Sequence, residues 1–182
     1  MSTLVASGFT AEAFEAFLAS REEPQWLIER RCEAWKKFEK LPMPSRADEE
    51  WMRTDIRLFR LDRFGFPADT TVSATLPDAL LKQGVDLAGY TVASDSQLFA
   101  TELDQALAKR GVRFGSLEQL ARDEPELVER NLFRVSDPAY DRFAALHAAA
   151  MSGGTMLYVP KGVIIDRPLH TLTTISEGGV DA

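Results

Sequence analysis

The hydrophobic period of this 182-residue chain changes from helical to strand-like at Gly153-Gly154. Before that point, most apolar side chains recur every three or four residues, as along one face of an amphipathic helix. After it come three short β-rich runs separated by turn-forming residues, namely TMLYVP, GVIID and PLHTLTTIS. Such runs predict the first coil of a solenoid, which buries its apolar face only against further coils. We therefore expect the chain to be the front part of a longer protein.

Punctuation by Pro and Gly predicts four regions. A short helix over residues 10–20, capped by Thr10, precedes a longer one that starts behind Pro24 and stops at Pro42. The predicted regions are a helical hairpin with an extension (1–66), an irregular linker with short strands (67–97), a helical region (98–154) and the start of a β-rich core (155–182). We expect this core to continue beyond Ala182.

Several local patterns give more detailed expectations. Residues 56–61 alternate weakly, as in an edge strand, and residues 85–93 predict a short hairpin that turns near Gly89. Leu98, Phe99, Leu103 and Leu107 follow helical spacing up to Gly111. Ser116 and Gln119 are spaced as a capping box. A further helix is predicted to begin at Pro125. The last predicted helix begins at Asp137-Pro138 and ends at Gly153-Gly154.

Composition excludes several classes of protein. With 28 Asp and Glu against 21 Lys and Arg, the net charge is −7, which argues against a general nucleic-acid binder and against a protein of anionic membranes. Cys32 is the one cysteine, so the chain forms no internal disulfide and no Cys-rich metal site. The first twenty residues contain no Lys or Arg, and Gly, Pro and His interrupt the uncharged stretch 143–160. We expect a cytoplasmic protein without a membrane span.

No complete catalytic, cofactor-binding or metal-binding site is evident in the sequence. Cys32 fits a buried, inert thiol, and His147 fits a partly buried helix position beside Phe143 and Met151. His170 lacks metal-ligating neighbours. The Gly-rich residues 152–155 follow a helix, where carbonyls rather than phosphate-binding amides are exposed. The acidic groups Glu22-Glu23 and Asp48-Glu49-Glu50 are most simply solvated. We therefore expect a non-enzymatic interaction protein.

The three tryptophans are candidate anchors for protein contacts. Trp26 and Trp35 lie within the long amphipathic helix, and Trp51 stands in a charged stretch. Burial in the core is the favoured interpretation of all three, because tryptophan is mostly buried in folded proteins.

Two long stretches resemble the SufB/SufD family of the SUF iron–sulfur cluster assembly system. WLIERRCEAWKKFEKLPMP (26–44), followed by EEWMRTDI (49–56), is similar to the amino-terminal region of the SufD branch. FAALHAAAMSGGTMLYVPKGVIIDRPLH (143–170) is similar to the entry into the core that SufB and SufD share. The resemblance covers nearly the whole chain and is weakest between residues 67 and 97. The SufB branch remains an alternative because both branches share YVPKG.

The resemblance implies an α+β fold, in which a helical amino-terminal domain leads into the first coils of a right-handed parallel β-helix. It implies a non-catalytic scaffold that acts with a SufB-like paralogue and a SufC-like ATPase, and it allows a dimer through the β-helix edge. The family residues associated with clusters lie beyond Ala182, so the resemblance places no cofactor in this chain.

Two other functions remain open from the residues. Parallel β-helices often carry carbohydrate-active sites, so the chain could be the amino-terminal region of such an enzyme. It could also be a plain helical adaptor with an incidental β tail. Stability of residues 1–150 after removal of the tail would favour the adaptor.

Overall fold

The computed structural model describes residues 8–66, 84–94 and 97–174, which form two compact units. Of the described residues, 8–66 and 129–151 belong to the first unit. Residues 84–94, 97–128 and 152–174 belong to the second unit. Residues 67–83 of the linker predicted over 67–97, and the chain end at 175–182, lie outside the described residues. The described helices are α1 (Ala11–Ala19), α2 (Gln25–Lys40), α3 (Gln105–Lys109), α4 (Leu117–Asp123), α5 (Pro125–Asn131) and α6 (Arg142–Ala150). The described strands are β1 (Gly89–Ser94), β2 (Gln97–Leu103), β3 (Arg113–Ser116), β4 (Thr155–Tyr158) and β5 (Leu169–Thr174).

Helix α1 begins and packs as its sequence predicts. The Thr10 hydroxyl accepts a hydrogen bond from the Ala13 amide at 3.2 Å, which satisfies one of the unpaired donors of the first turn. Phe14 and Phe17 are buried on one face of the helix. The expectation of a short, Thr10-capped helix is confirmed.

Helix α2 forms the centre of the first unit. It starts after Pro24 and ends before Leu41-Pro42, so proline punctuates both of its ends. Its buried side chains recur at helical spacing and face α6, whose small alanines allow the two helices to approach closely. The buried residues of α2 are Leu27, Arg31, Ala34, Trp35 and Phe38. Aromatic rings dominate this core, with Phe14 stacked on Trp35 at a centroid distance of 4.6 Å.

The second unit is built around a three-stranded sheet of order β2-β1-β5. Strand β1 pairs antiparallel with β2 and parallel with β5. The parallel pairing runs without a shift from Gly89 opposite Leu169 to Ser94 opposite Thr174. A parallel pair needs a long crossover, and here about eighty residues separate the two strands in sequence.

A second, two-stranded sheet pairs β3 antiparallel with β4. The predicted stop at Gly111 is confirmed, because this residue follows α3 with φ of +87°, a conformation that favours glycine. The predicted capping box is half correct. The Ser116 hydroxyl accepts from the Gln119 amide at 3.3 Å, but the Gln119 side chain donates to Asp123 instead of reaching back.

Other local expectations are wrong. Residues 56–61 form no strand, because a turn closes with the Phe59 amide on the Ile56 carbonyl. Gly89 begins strand β1 and is not the turn of a hairpin. Residues 97–103 are strand β2 rather than helix, since the β1 backbone supplies a partner along their whole length. The GVIID run forms no strand either.

The last helix of the first unit also differs at both ends from its expected bounds. It begins behind Asp141, whose carboxylate accepts from the Ala144 amide at 2.7 Å, and not at Asp137-Pro138. It ends at Ala150, because Met151 is already extended, so the glycine pair follows the helix without terminating it in a left-handed conformation.

Candidate interaction surface

The residues considered for nucleophilic or metal chemistry lie on three different elements, with Cys32 and His147 in the first unit and His170 in the second. Cys32 is half-buried against the core of the first unit. His147 is exposed on α6 with its ring 6.2 Å from the Phe133 ring, so the expected partial burial is wrong. His170 lies on β5 opposite Tyr90. No group of three or more His, Cys, Asp or Glu residues with metal-binding geometry occurs among residues 8–66, 84–94 and 97–174.

The tryptophans differ in burial. Trp35 is 7% exposed in the core, so the core interpretation is confirmed for this residue. Trp26 is half-buried beneath the Arg30 guanidinium, which lies 5.2 Å from the ring centroid. Trp51 is half-buried against Phe143 at a centroid distance of 5.4 Å. Trp26 and Trp51 therefore remain partly exposed, and the core interpretation does not fully describe them.

A buried ion pair joins three parts of the first unit. The Arg31 side chain is fully buried, and its guanidinium donates to both oxygens of Glu23 at 2.6 and 2.7 Å. Its remaining nitrogen, Nη1, donates to the carbonyl of Ala149 on α6 at 2.9 Å. Arg21 adds a further bond to Glu23 at 2.7 Å. The expectation that Glu23 is solvated is wrong, because its side chain is only 3% exposed.

The ionisation of Glu23 follows from this arrangement. Burial raises the pKa of the carboxyl, but the hydrogen bonds and positive charges of Arg31 and Arg21 outweigh it and hold the pKa below its ordinary value of 4.5. The pair is therefore charged at neutral pH and stabilises the fold. The sequence signal for it was an arginine on the apolar face of α2, which needs a carboxylate partner when buried.

In the second unit, Arg167 holds the start of β5 against β1. It donates to Asp86 at 3.0 Å and also pairs with Asp104. Next to it, the amide of Ala88 donates to the Pro168 carbonyl at 2.9 Å. The backbone amide of Ala106 and the Arg167 hydrogen bond keep the pKa of Asp104 below its ordinary value. The sequence alone did not indicate this role of Arg167.

These charged residues border a cavity of about 400 Å³. Tyr90 lies opposite Glu102 on the neighbouring strand, and the hydrogen bond to this carboxylate is the main cause that raises the Tyr90 pKa, with burial adding to it. The negative charges of Asp86 and Asp104 are already partly balanced by the Arg167 guanidinium. Among the lining residues, Arg167 pairs with Asp86 and Asp104, and Tyr90 forms a hydroxyl–carboxylate pair with Glu102.

The outer face of β5 is the most accessible part of the parallel pair. Thr91 of β1 is fully buried, and its hydroxyl donates to Thr171 of β5 at 3.1 Å. Thr171 and Thr173 are exposed, and β5 stands at one edge of its sheet among the described strands. An edge strand offers unpaired backbone groups to a further strand, so this edge is the candidate site for a strand contact.

Comparison with known proteins identifies relatives of nearly the whole chain. The family model described as the SufBD protein N-terminal region matches residues 12–171. An iron–sulfur cluster assembly SufBD family protein of Staphylococcus haemolyticus is 26% identical over 181 residues. The iron–sulfur cluster assembly protein SufB of Bacillus subtilis is 26% identical over 184 residues, and a SufBD family protein of Staphylococcus epidermidis is 29% identical over 181 residues. Each alignment covers 93% of this chain, and the chain spans 38% of the length of each relative.

No helix among the described residues combines the length and the apolar character needed to cross a lipid bilayer.

Proposed function

Since the chain belongs to the SufBD protein family through its N-terminal region, we propose that it acts as a non-catalytic scaffold component of iron–sulfur cluster assembly. The relatives found are iron–sulfur cluster assembly proteins by name. This favours the assembly function over a carbohydrate-active β-helix enzyme and over a plain helical adaptor. We propose a cytoplasmic location on the same basis.

The parallel pairing of β1 with β5 is the structural observation that carries the proposal. Six consecutive residue pairs stay in register although some eighty residues separate the strands. Strands that return to the same register after a crossover are the repeating unit of a parallel stack. The Thr91 hydroxyl bonded to Thr171 adds a polar contact between equivalent positions of the two strands.

We propose that this pair is the beginning of a right-handed parallel β-helix that is completed by strands beyond β5. Glu102 and its neighbours on β2 run antiparallel to β1, so β2 would close one end of the stack while the β5 edge extends it. Helices α1 and α2 would then precede β1 in the chain, and α6 would come between β3 and β4.

The partners proposed for the complete assembly are a SufB-like paralogue and a SufC-like ATPase. We place the chain in the SufD branch because of the segment LPMPSRADEEWMRTD (41–55). The relative from Bacillus subtilis is named SufB. A sequence identity of 26% to it therefore does not distinguish the SufB branch from the SufD branch. The nature of the companion does separate them, because a SufD-type subunit requires a distinct SufB-like paralogue.

The test is a native co-isolation. The chromosomal copy is tagged at Met1, purified from a gentle lysate, and analysed for the mass of the tagged product and for its companions, with an untagged strain as control. Recovery of a SufB-like paralogue and an ABC-type ATPase in stable proportion to the tagged product is the expected result. A tagged product without either companion, under conditions that keep a separately tagged SufB complex intact, would refute the assembly function.

A further inference from the structure

Phe133, two residues after the end of α5, has a backbone conformation that favours glycine. Its φ is +61°, and no other non-glycine residue among 8–66, 84–94 and 97–174 has a positive φ. A bulky side chain in this left-handed region is an outlier, because its Cβ atom comes too close to the following carbonyl oxygen. Such a conformation persists only where the surrounding contacts outweigh its cost, so the contacts of Phe133 decide its meaning.

Two sets of contacts hold this part of the chain in place. The Phe133 ring packs against the aromatic core of the first unit and meets the His147 ring edge-on at a centroid distance of 6.2 Å. Just before Phe133, Arg30 of α2 donates to the Glu129 carbonyl at 2.9 Å and to the Leu132 carbonyl at 3.3 Å. These carbonyls lie at the end of α5, where a positive charge is favourable.

The Arg30 side chain also covers a polar group that is poorly satisfied. Its guanidinium lies 5.2 Å from the centroid of the Trp26 ring. The indole nitrogen of Trp26 is buried and has no hydrogen-bond acceptor among the described residues. A buried donor without an acceptor is unfavourable, because water no longer solvates it. Two unfavourable groups, the Phe133 backbone and the Trp26 indole, therefore lie next to the contacts that Arg30 makes.

The residues that follow Phe133 hold the segment only weakly. Residues 134–137 are exposed to solvent. The Arg134 amide donates to the Asn131 carbonyl at 3.3 Å, which is long for a backbone hydrogen bond. A segment with exposed hydrogen bonds and few buried side chains opens locally at low free energy, while the rest of the domain stays folded.

We propose that residues 129–135 form a latch, which Arg30 holds closed on α2 and which opens while α1, α2 and α6 remain folded. In the open state, Phe133 returns to a negative φ and its ring leaves the aromatic core. Release of the left-handed backbone favours opening by roughly tenfold. The latch gives the first unit a second conformation, and a ligand that binds this conformation better would raise its population. The inference does not depend on the proposed role in cluster assembly, because it uses only contacts within the first unit.

Native-state hydrogen exchange of the purified 182-residue chain, followed by NMR at urea concentrations below the unfolding transition, tests the latch. A local opening exposes little new surface, so exchange of the Arg134 amide and of the amides of residues 129–131 should be nearly independent of urea. Exchange of the Ala34 and Trp35 amides in the middle of α2 should increase with urea, because it requires unfolding of the whole unit. After correction for intrinsic rates, the latch amides should exchange at least about 100-fold faster than these two.

Two pairs of variants separate the latch from ordinary fraying of a helix end. Arg30→Gln should raise the opening of the latch about tenfold, because it removes the charged donors to both carbonyls. Lys36→Gln removes a positive charge from an exposed position of the same helix and should leave the opening unchanged. Phe133→Gly and Phe133→Ala both remove the ring and differ in backbone preference. Opening should therefore be about fivefold rarer in the glycine variant than in the alanine variant.

Three results would overturn the proposal. The first is exchange of the latch amides that rises with urea as steeply as exchange in the middle of α2, since no separate opening would then exist. The second is an equal effect of Arg30→Gln and Lys36→Gln. The third is an alanine variant at Phe133 that opens no more often than the glycine variant. Circular dichroism of each variant establishes that it is folded.

Discussion

Removing the carboxylate that neutralises Arg31 should be among the most destabilising single substitutions in the first unit. Glu23→Gln keeps the size of the side chain but removes its charge. The Arg31 guanidinium then remains fully buried without a counter-ion, and Arg21 loses its carboxylate at the same time. Breaking one side of a buried ion pair typically costs about 3–5 kcal/mol, because the other charge stays desolvated. Against a total stability of about 5–15 kcal/mol, this is a large loss.

A double-mutant cycle separates the ion pair from its surroundings. Arg31→Met replaces the cation with an apolar side chain of similar length, at the cost of the bond to the Ala149 carbonyl. In the double variant, no uncompensated charge is buried at either position. We therefore expect it to be less destabilised than the sum of the single variants, with a coupling energy of about 1–3 kcal/mol.

Urea denaturation followed by far-UV circular dichroism measures all four members of the cycle, provided the slope with denaturant concentration stays constant. Asp55→Asn is the matched control, because Asp55 pairs with Arg57 at 2.6 Å but on the exposed surface. Solvent screens that pair, so the midpoint should not change measurably. A loss below about 1 kcal/mol for Glu23→Gln, or full additivity in the cycle, would refute the account of a buried, interdependent ion pair.

Two further predictions concern pH and backbone packing. The pKa of Glu23 is lower in the folded than in the unfolded state, so its contribution is fully present well above pH 4.5 and is lost as the pH falls through the folded-state value. The difference in urea midpoint between the natural chain and Glu23→Gln should therefore shrink below pH 4.5, and a constant difference would contradict this. Gly89→Ala would place a Cβ atom 2.5 Å from the Glu102 carbonyl oxygen, a fixed backbone atom, and should cost about 1–3 kcal/mol in thermal denaturation. Gly154→Ala meets only the flexible Leu117 side chain at 3.3 Å and should cost less, so the opposite ranking would disprove the packing argument.

The surface around Trp51 was only partly accessible to sequence reasoning. Trp51 was identified as an apolar residue in a charged stretch, but its contact with Phe143 joins positions more than ninety residues apart. The weak alternation at 56–61 predicted an edge strand, whereas local Arg–Asp pairs and a turn determine its structure. Alternation alone does not distinguish a strand from a turn that exposes Leu58, because a strand also needs a neighbour to pair with.

Local chemistry in the sequence determined the first two helices and the change to β structure after Gly154. Thr10 and Pro24 mark where α1 and α2 begin, and the apolar spacing of α2 identifies its buried face, including Arg31. These features act within a few residues, through capping hydrogen bonds and side-chain periodicity, so the sequence is sufficient to predict them. The beginning of β4 at Thr155 follows from the same reasoning.

Tertiary structure alone decided the features that depend on distant partners. Leu98 and Leu103 have a spacing that suits a helix, yet they lie in a strand because β1 satisfies the backbone groups of β2 along its length. Glu23 looked like a solvated acid until the fold placed Arg31 against it. The in-register alignment of β1 with β5 likewise depends on Arg167 and on the close approach at Gly89. Pairings across such distances are set by the free energy of the whole packed arrangement, and no local pattern in the chain specifies them.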